Sequence, residues 1–117
     1  MKIKFFLSAN GKSPVLEFIN SLEKTDQAKI LGCLENIQEL GLESPRVQFR
    51  QIDGKLWEIK IRSIGGGYRI FYVTIKKNIM VLLHSYKKQS QKAPDKEIKV
   101  AAKRLMEVLK NENAFIG

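Results

Sequence analysis

Leu56-Trp57-Glu58-Ile59-Lys60-Ile61-Arg62-Ser63-Ile64-Gly65-Gly66-Gly67-Tyr68-Arg69-Ile70-Phe71-Tyr72-Val73-Thr74-Ile75 is the stretch that decides the fold. Its first half alternates, with Trp57, Ile59 and Ile61 pointing one way and Glu58, Lys60 and Arg62 the other, as in a strand with one packed and one polar face. The three glycines read as a flexible turn rather than a phosphate-binding loop, because no helix follows them. From Tyr68 to Ile75 both parities are apolar except at Arg69, the pattern of a central strand covered on both sides. Upstream, Asp53-Gly54 is a two-residue hairpin signal, preceded by the alternating Val47, Phe49 and Gln51. Downstream, Lys76-Lys77-Asn78 turns the chain into a last strand, 79–86. Met80, Leu82, His84 and Tyr86 share one parity there, and Ile79, Val81 and Leu83 the other.

Helical periods flank this meander. Residues 2–8 read as a strand, Asn10-Gly11 as a turn, and Ser13-Pro14 as an N-cap with a first-turn proline. Val15, Phe18, Ile19 and Leu22 then form one apolar stripe. A second helix start at Thr25-Asp26 runs through Ile30, Leu34 and Ile37 to a stop at Gly41, which predicts a helical hairpin. Pro94 or Asp95 opens a final helix with the stripe Ile98, Ala101, Ala102, Leu105, Met106 and Leu109, and residues 111–117 read as frayed. The order strand, two helices, three or four meandering strands, helix is α+β, because parallel crossover units do not recur. It predicts a small curved, mostly antiparallel sheet with the helical hairpin on one face and a C-terminal helix.

A chain of 117 residues with 44% apolar composition fits one domain, 1–117, with a modest core. It has neither an apolar run long enough for a membrane span nor a signal-peptide block, so the expected address is the cytoplasm. Cys33, the only cysteine, sits among Ile30, Leu31 and Leu34 and reads as a small core residue. One cysteine and one histidine cannot assemble a zinc-finger type of site, and no metal or other cofactor is expected. The charge of +9 is large for this size and favours a polyanionic partner. It is uneven, with Lys87, Lys88, Lys92, Lys96, Lys99, Lys103 and Arg104 crowded against only Asp95 and Glu97 over residues 84–104. Lys96, Lys99 and Lys103 fit a solvated helix face, whereas 87–92 precedes the helix.

Tight hairpins make Lys60, Arg62, Arg69, His84, Tyr86 and Lys88 neighbours across three strands, a cationic patch bearing an aromatic ring. Such a patch suits metal-free RNA cleavage. The 2′-hydroxyl attacks the adjacent phosphorus, a base removes its proton and an acid protonates the leaving oxygen. All the developing charge is negative, and preorganised Arg and Lys stabilise it. Each residue also has a plainer reading. Lys60 and Arg62 fit the solvent face of a half-buried strand, and Arg69 fits an ion pair with Glu58, although an arginine in an apolar strand is costly unless paired or aimed at a ligand. His84 fits a satisfied strand histidine. Tyr86 fits either a ring that stacks on an unpaired base or a lid on the core, and Lys87, Lys88 and Lys92 fit phosphate contacts without chemistry.

The runs LWEIKIR (56–62), YRIFY (68–72) and LHSYKKQSQKAP (83–94), followed by Glu97-Ile98 and Ala101, resemble the RelE/ParE toxin superfamily, and within it the HigB-like branch that includes phage-derived members. The resemblance spans most of the chain. It implies the toxin of a type II toxin-antitoxin pair that cleaves messenger RNA in the ribosomal decoding site, with a helix-turn-helix, HigA-like antitoxin as partner. It also implies a phosphate-contacting role for Arg69 and basic site positions at Lys60, Arg62 and Lys88. Together with the residue reading, this gives Arg69, Lys60, Lys88, His84 and Tyr86 as candidate catalytic residues and Arg62, Lys87 and Lys92 as candidate RNA-binding residues. Glu58 departs from the pattern, standing where well-known RelE members carry a lysine. Two other readings remain: a ParE-like inhibitor of DNA gyrase, and a non-catalytic nucleic-acid-binding phage accessory protein.

Overall fold

A computed structural model describes residues 1–116 of the chain. Its element order is β1 (Lys2–Phe5), α1 (Pro14–Asn20), α2 (Lys24–Leu40), β2 (Gln48–Asp53), β3 (Leu56–Ser63), β4 (Gly66–Ile75), β5 (Ile79–Lys87) and α3 (Asp95–Lys110). The five strands form one open sheet in the order β1-β5-β4-β3-β2, antiparallel except where β1 lies parallel to β5. The expected α+β class and helical placement hold. No helix among the described residues is long and apolar enough to cross a membrane.

The sheet separates two cores. On one face Val15 and Ile19 of α1 and Ile30, Cys33, Leu34 and Ile37 of α2 pack on Ile59, Ile61, Ile70, Tyr72, Met80 and Leu82. On the other, Ala101, Leu105 and Val108 of α3 pack on Leu56, Phe71, Val73, Val81 and Leu83. The central strand β4 is therefore covered on both sides, as its double-parity pattern requires. In α3 the buried stripe runs through Val108, while Ala102 and Met106 face solvent, so the helix is rotated slightly from its sequence reading.

Boundaries follow local chemistry. Ser13 caps α1 by accepting from the Leu16 amide, with Pro14 in the first turn. Gly41 ends α2 at a φ of 66°, where a side chain is disfavoured. Strand β1 stops at Phe5, short of residue 8, because Ser8 turns the chain by bonding Asn10 and Lys12. The turn between β3 and β4 centres on Ile64-Gly65, and Gly66 and Gly67 already belong to β4. The end expected to fray instead forms a short 3-10 turn, Glu112–Phe115, with Phe115 against the α3 core; residue 117 lies outside the described residues.

One irregularity positions the candidate site. Phe71 pairs with His84 but Tyr72 with Leu82, so Leu83 is an extra residue in β5, a bulge. The bulge switches the side-chain parity of β5. Ile79, Val81 and Leu83 face α3, and so do His84 and Tyr86, whereas the sequence alternation had grouped those two with Met80 and Leu82.

Candidate nucleic-acid interface

On the α3 side the ladder sets out rows of cross-strand neighbours, each pair about 5 Å apart. Leu56 and Val73 lie under the helix. The next row is Arg50, Glu58, Phe71 and His84, and the one beyond it is Gln48, Lys60, Arg69 and Tyr86. The outermost row pairs Arg62 with Gly67, whose carbonyl accepts from the Lys88 amide. The apolar stripe of α3 covers the first rows and leaves the last ones open.

That opening is a cleft of about 860 Å³, within the range of about 300–1,000 Å³ usual for ligand sites. Arg46, Lys60, Arg62, Arg69 and Lys88 line it with Gln48, Ser63, Gly66, Gly67 and Gln91, so five cations and no carboxylate border the space. Four of the eight residues proposed from sequence meet here: Arg69, Lys60, Lys88 and Arg62. Burial holds the Lys60 ammonium below the usual lysine value, helped by Arg50, Arg69 and Lys88 and opposed by Glu58. Gly67 shapes the floor, because a Cβ there would stand 3.3 Å from Arg69 Nη1 and 3.4 Å from Lys88 Cδ. Gly67→Ala is therefore expected to push the Arg69 guanidinium aside by a few tenths of an ångström while leaving the melting temperature nearly unchanged. A shifted Arg69 Nε signal by NMR beside an unchanged melting curve is the expected result.

Glu58 was read as part of a polar outer face, yet its side chain is fully buried. Three groups surround it. Arg50 Nη2 donates to Oε1 at 3.1 Å, Arg69 Nε lies 3.8 Å from the same oxygen, and the Tyr86 hydroxyl donates to Oε2 at 3.0 Å. Arg69 thus has two roles at once. Its Nε side faces Glu58, its Nη1 donates to the Tyr68 carbonyl at 3.2 Å, and the guanidinium also borders the cleft.

The structure does not bring the other four candidates into the cleft. Tyr86 is 7% exposed, its ring stacks on Phe71 at 5.5 Å, and its hydroxyl is committed to Glu58. Burial, with Glu58 beside it, raises the phenol far above its ordinary pKa, and no ring face is left for a base. It is the lid on the core rather than a stacking platform. His84 lies under α3, where Nε2 meets Glu97 Oε1 at 2.9 Å, Arg104 Nη1 approaches Nδ1 at 3.2 Å and Phe71 stacks on the ring. Since Nδ1 accepts from Arg104, the proton sits on Nε2 and points at Glu97, a pin between β5 and α3. His84→Ala is accordingly expected to lower the melting temperature while leaving the cleft lining undisturbed, as thermal denaturation beside NMR of the Arg69 and Lys60 side chains would measure. Lys87 points to the opposite face, toward Gly66 and the Asp26 carboxylate. Lys92 is exposed in the loop before α3, outside the cleft lining.

Sequence reasoning missed Arg46, Gln48 and Gln91 in the cleft lining, and Asp26 behind its rim. Asp26 was read as a helix start, but Glu23 occupies the cap position of α2 and Asp26 is buried in its first turn. Its carboxylate accepts from the Ser63 hydroxyl, the Gly65 amide at 3.1 Å and the Tyr68 hydroxyl at 2.6 Å. This ties α2 to the β3–β4 turn, which carries Ser63 and Gly66 of the cleft wall. The Ser63 bond foremost, then Tyr68 and Gly65, hold the Asp26 carboxyl below 3.8, while the Tyr68 phenol is pushed up to about 12.

Fold and cleft together define a small basic α+β protein with a cationic pocket on the uncovered end of its sheet. The chain belongs to the family described as phage derived protein Gp49-like (DUF891), which matches residues 17–106. That span contains every lining residue of the cleft. No curated protein matches the chain significantly.

Proposed function

We propose that this Gp49-like protein is the toxin of a type II toxin-antitoxin pair, of the HigB-like branch, and cleaves messenger RNA in the ribosomal decoding site. The observation that carries this reading is the cleft, in which five cations and no carboxylate converge on a volume suited to a ribose-phosphate linkage. Arg69 and Lys88 would neutralise the scissile phosphate as negative charge builds on it, and Arg62 and Arg46 would hold the phosphates on either side. Lys60, with its lowered proton affinity, is the candidate to take the 2′-hydroxyl proton. The chemistry needs no metal, because every developing charge is negative and the side chains supply the counter-charge. The proposed partner is a helix-turn-helix, HigA-like antitoxin with an acidic segment that fills the cleft, and the proposed compartment is the bacterial cytoplasm.

The test is induction of the wild-type protein in bacteria, followed by primer extension on abundant transcripts. Growth arrest with new 5′-hydroxyl ends inside coding regions is the expected result. Arrest with intact transcripts and inhibited supercoiling by purified gyrase would instead assign the protein to the gyrase-inhibitor class. Salt-sensitive RNA binding without arrest or cleavage would leave a binding protein.

A further inference from the structure

Glu58 poses a physical problem that the proposed reaction does not use. A carboxylate with a fully buried side chain lies one row behind a pocket meant for anions. By charge alone it weakens the field that the pocket presents, and burying it costs several kcal/mol unless it is well paired. Its partners show what it does mechanically. Arg50 comes from β2 and Arg69 from β4, on either side of β3, and both reach the same oxygen, Oε1, at 3.1 and 3.8 Å. Two guanidiniums converging on one point repel each other, and only a negative charge between them keeps them there. The second oxygen is fixed by the Tyr86 hydroxyl at 3.0 Å, and the Tyr86 ring is itself held on Phe71.

We propose that Glu58 is a positioning residue of the cleft, a buried counter-charge fixed by Tyr86 that holds Arg69 against Arg50 so that the Arg69 guanidinium presents to the scissile phosphate. The inference rests on the cleavage reading for its kinetic consequence, but not for its structural one. Glu58 also acts on Lys60, its neighbour two residues along β3, where it alone opposes burial and the nearby cations that favour loss of the lysine proton.

The discriminating variants are Glu58→Gln, which keeps the shape and a partner for Tyr86 but removes the charge, and Tyr86→Phe, which keeps the charge but frees Oε2. Glu58→Asp serves as the conservative rescue. Three quantities separate positioning from simple field or folding effects: kcat and KM for cleavage on programmed ribosomes, affinity for an uncleavable 2′-deoxy trinucleotide, and the pH titration of Lys60 Nζ by NMR. Simple electrostatics predicts that Glu58→Gln binds the trinucleotide more tightly and cleaves at least as well. Positioning predicts that binding is kept or tightened while kcat falls by about 10–100-fold. It further predicts a smaller loss for Tyr86→Phe, partial recovery for Glu58→Asp, and titration of Lys60 at lower pH in Glu58→Gln than in wild type. An unchanged kcat in folded Glu58→Gln overturns the proposal. If the wild type cleaves nothing, the endonuclease reading is the one that fails. The Glu58 inference is then decided by NMR, where unaltered Arg69 Nε and Lys60 Nζ signals in Glu58→Gln would overturn it.

Discussion

Arg69→Ala is expected to abolish growth arrest on induction and to lower transcript cleavage by roughly 10²–10³-fold, the usual effect of deleting one preorganised group aimed at transition-state charge. Arg69 is the residue for which a purely architectural explanation competes most directly, because it does lie beside Glu58. The geometry separates the two readings. The contact to Glu58 is 3.8 Å, longer than a hydrogen bond, whereas Arg50 makes the short one at 3.1 Å. Glu58 therefore keeps a bonded guanidinium and the Tyr86 hydroxyl when Arg69 is removed. The Arg69→Ala protein should accordingly fold and melt close to wild type, and Arg50→Ala should destabilise more and inhibit less. Thermal denaturation beside primer extension reads both. Full cleavage by a folded Arg69→Ala protein would remove the central cation from the proposed site.

The second large effect is expected at Asp26, far from the cleft in sequence. Asp26→Ala strands the Ser63 hydroxyl, the Gly65 amide and the Tyr68 hydroxyl together, and the β3–β4 turn loses its tie to α2. A fall in melting temperature on the order of 5–10 °C is expected, with loss of activity through a deformed cleft wall. Gly65→Ala should mimic it, since a Cβ at that position would overlap the Asp26 carboxylate and sit 3.0 Å from the Tyr68 hydroxyl. The pH dependence gives an independent check. The folded carboxyl titrates below 3.8, and the unfolded chain takes up its proton near that ordinary value. The stabilisation is thus complete above about pH 4–5 and fades as the pH drops through the lower folded value. Denaturant titrations between pH 7 and pH 2 should show a weaker acid dependence in Asp26→Asn than in wild type. Identical acid limbs would mean that the three bonds carry no net stabilisation.

The strand-rich centre was legible because its periodicities are strong: Trp57, Ile59 and Ile61 on one parity, an apolar run interrupted only by Arg69 and Thr74, and a hairpin signal at Asp53-Gly54. Lys60, Arg62 and Arg69 were legible for the same reason, since residues two apart on paired strands share a face, whereas Lys88 joins them only through the bulge at Leu83. Glu58 was misread because alternation reports the face a residue takes and not whether another element covers it. Its burial depends on two arginines and a tyrosine that come from three other strands. Asp26 was misread because an aspartate in a first helical turn has a sufficient local explanation, and its partners lie 37 to 42 residues away. The alternation had grouped His84 and Tyr86 with Met80 and Leu82, and only the bulge at Leu83 brings them round to the α3 face. Nothing in the alternation shows how far α3 extends over that face, so both read as open where they are roofed.

The extra residue at Leu83 makes the cleft depend on an integer. With it, Lys88 ends up beside Arg69 and Arg62; straightening β5 at unchanged length would pair Leu83 with Phe71, shift every later residue by one place and turn Tyr86 and Lys88 toward the α1–α2 side. The same chain in an even ladder would keep its composition and its charge, yet one wall of the basin would face the wrong way. The basin therefore rests on the bulge as much as on the amino acids that line it.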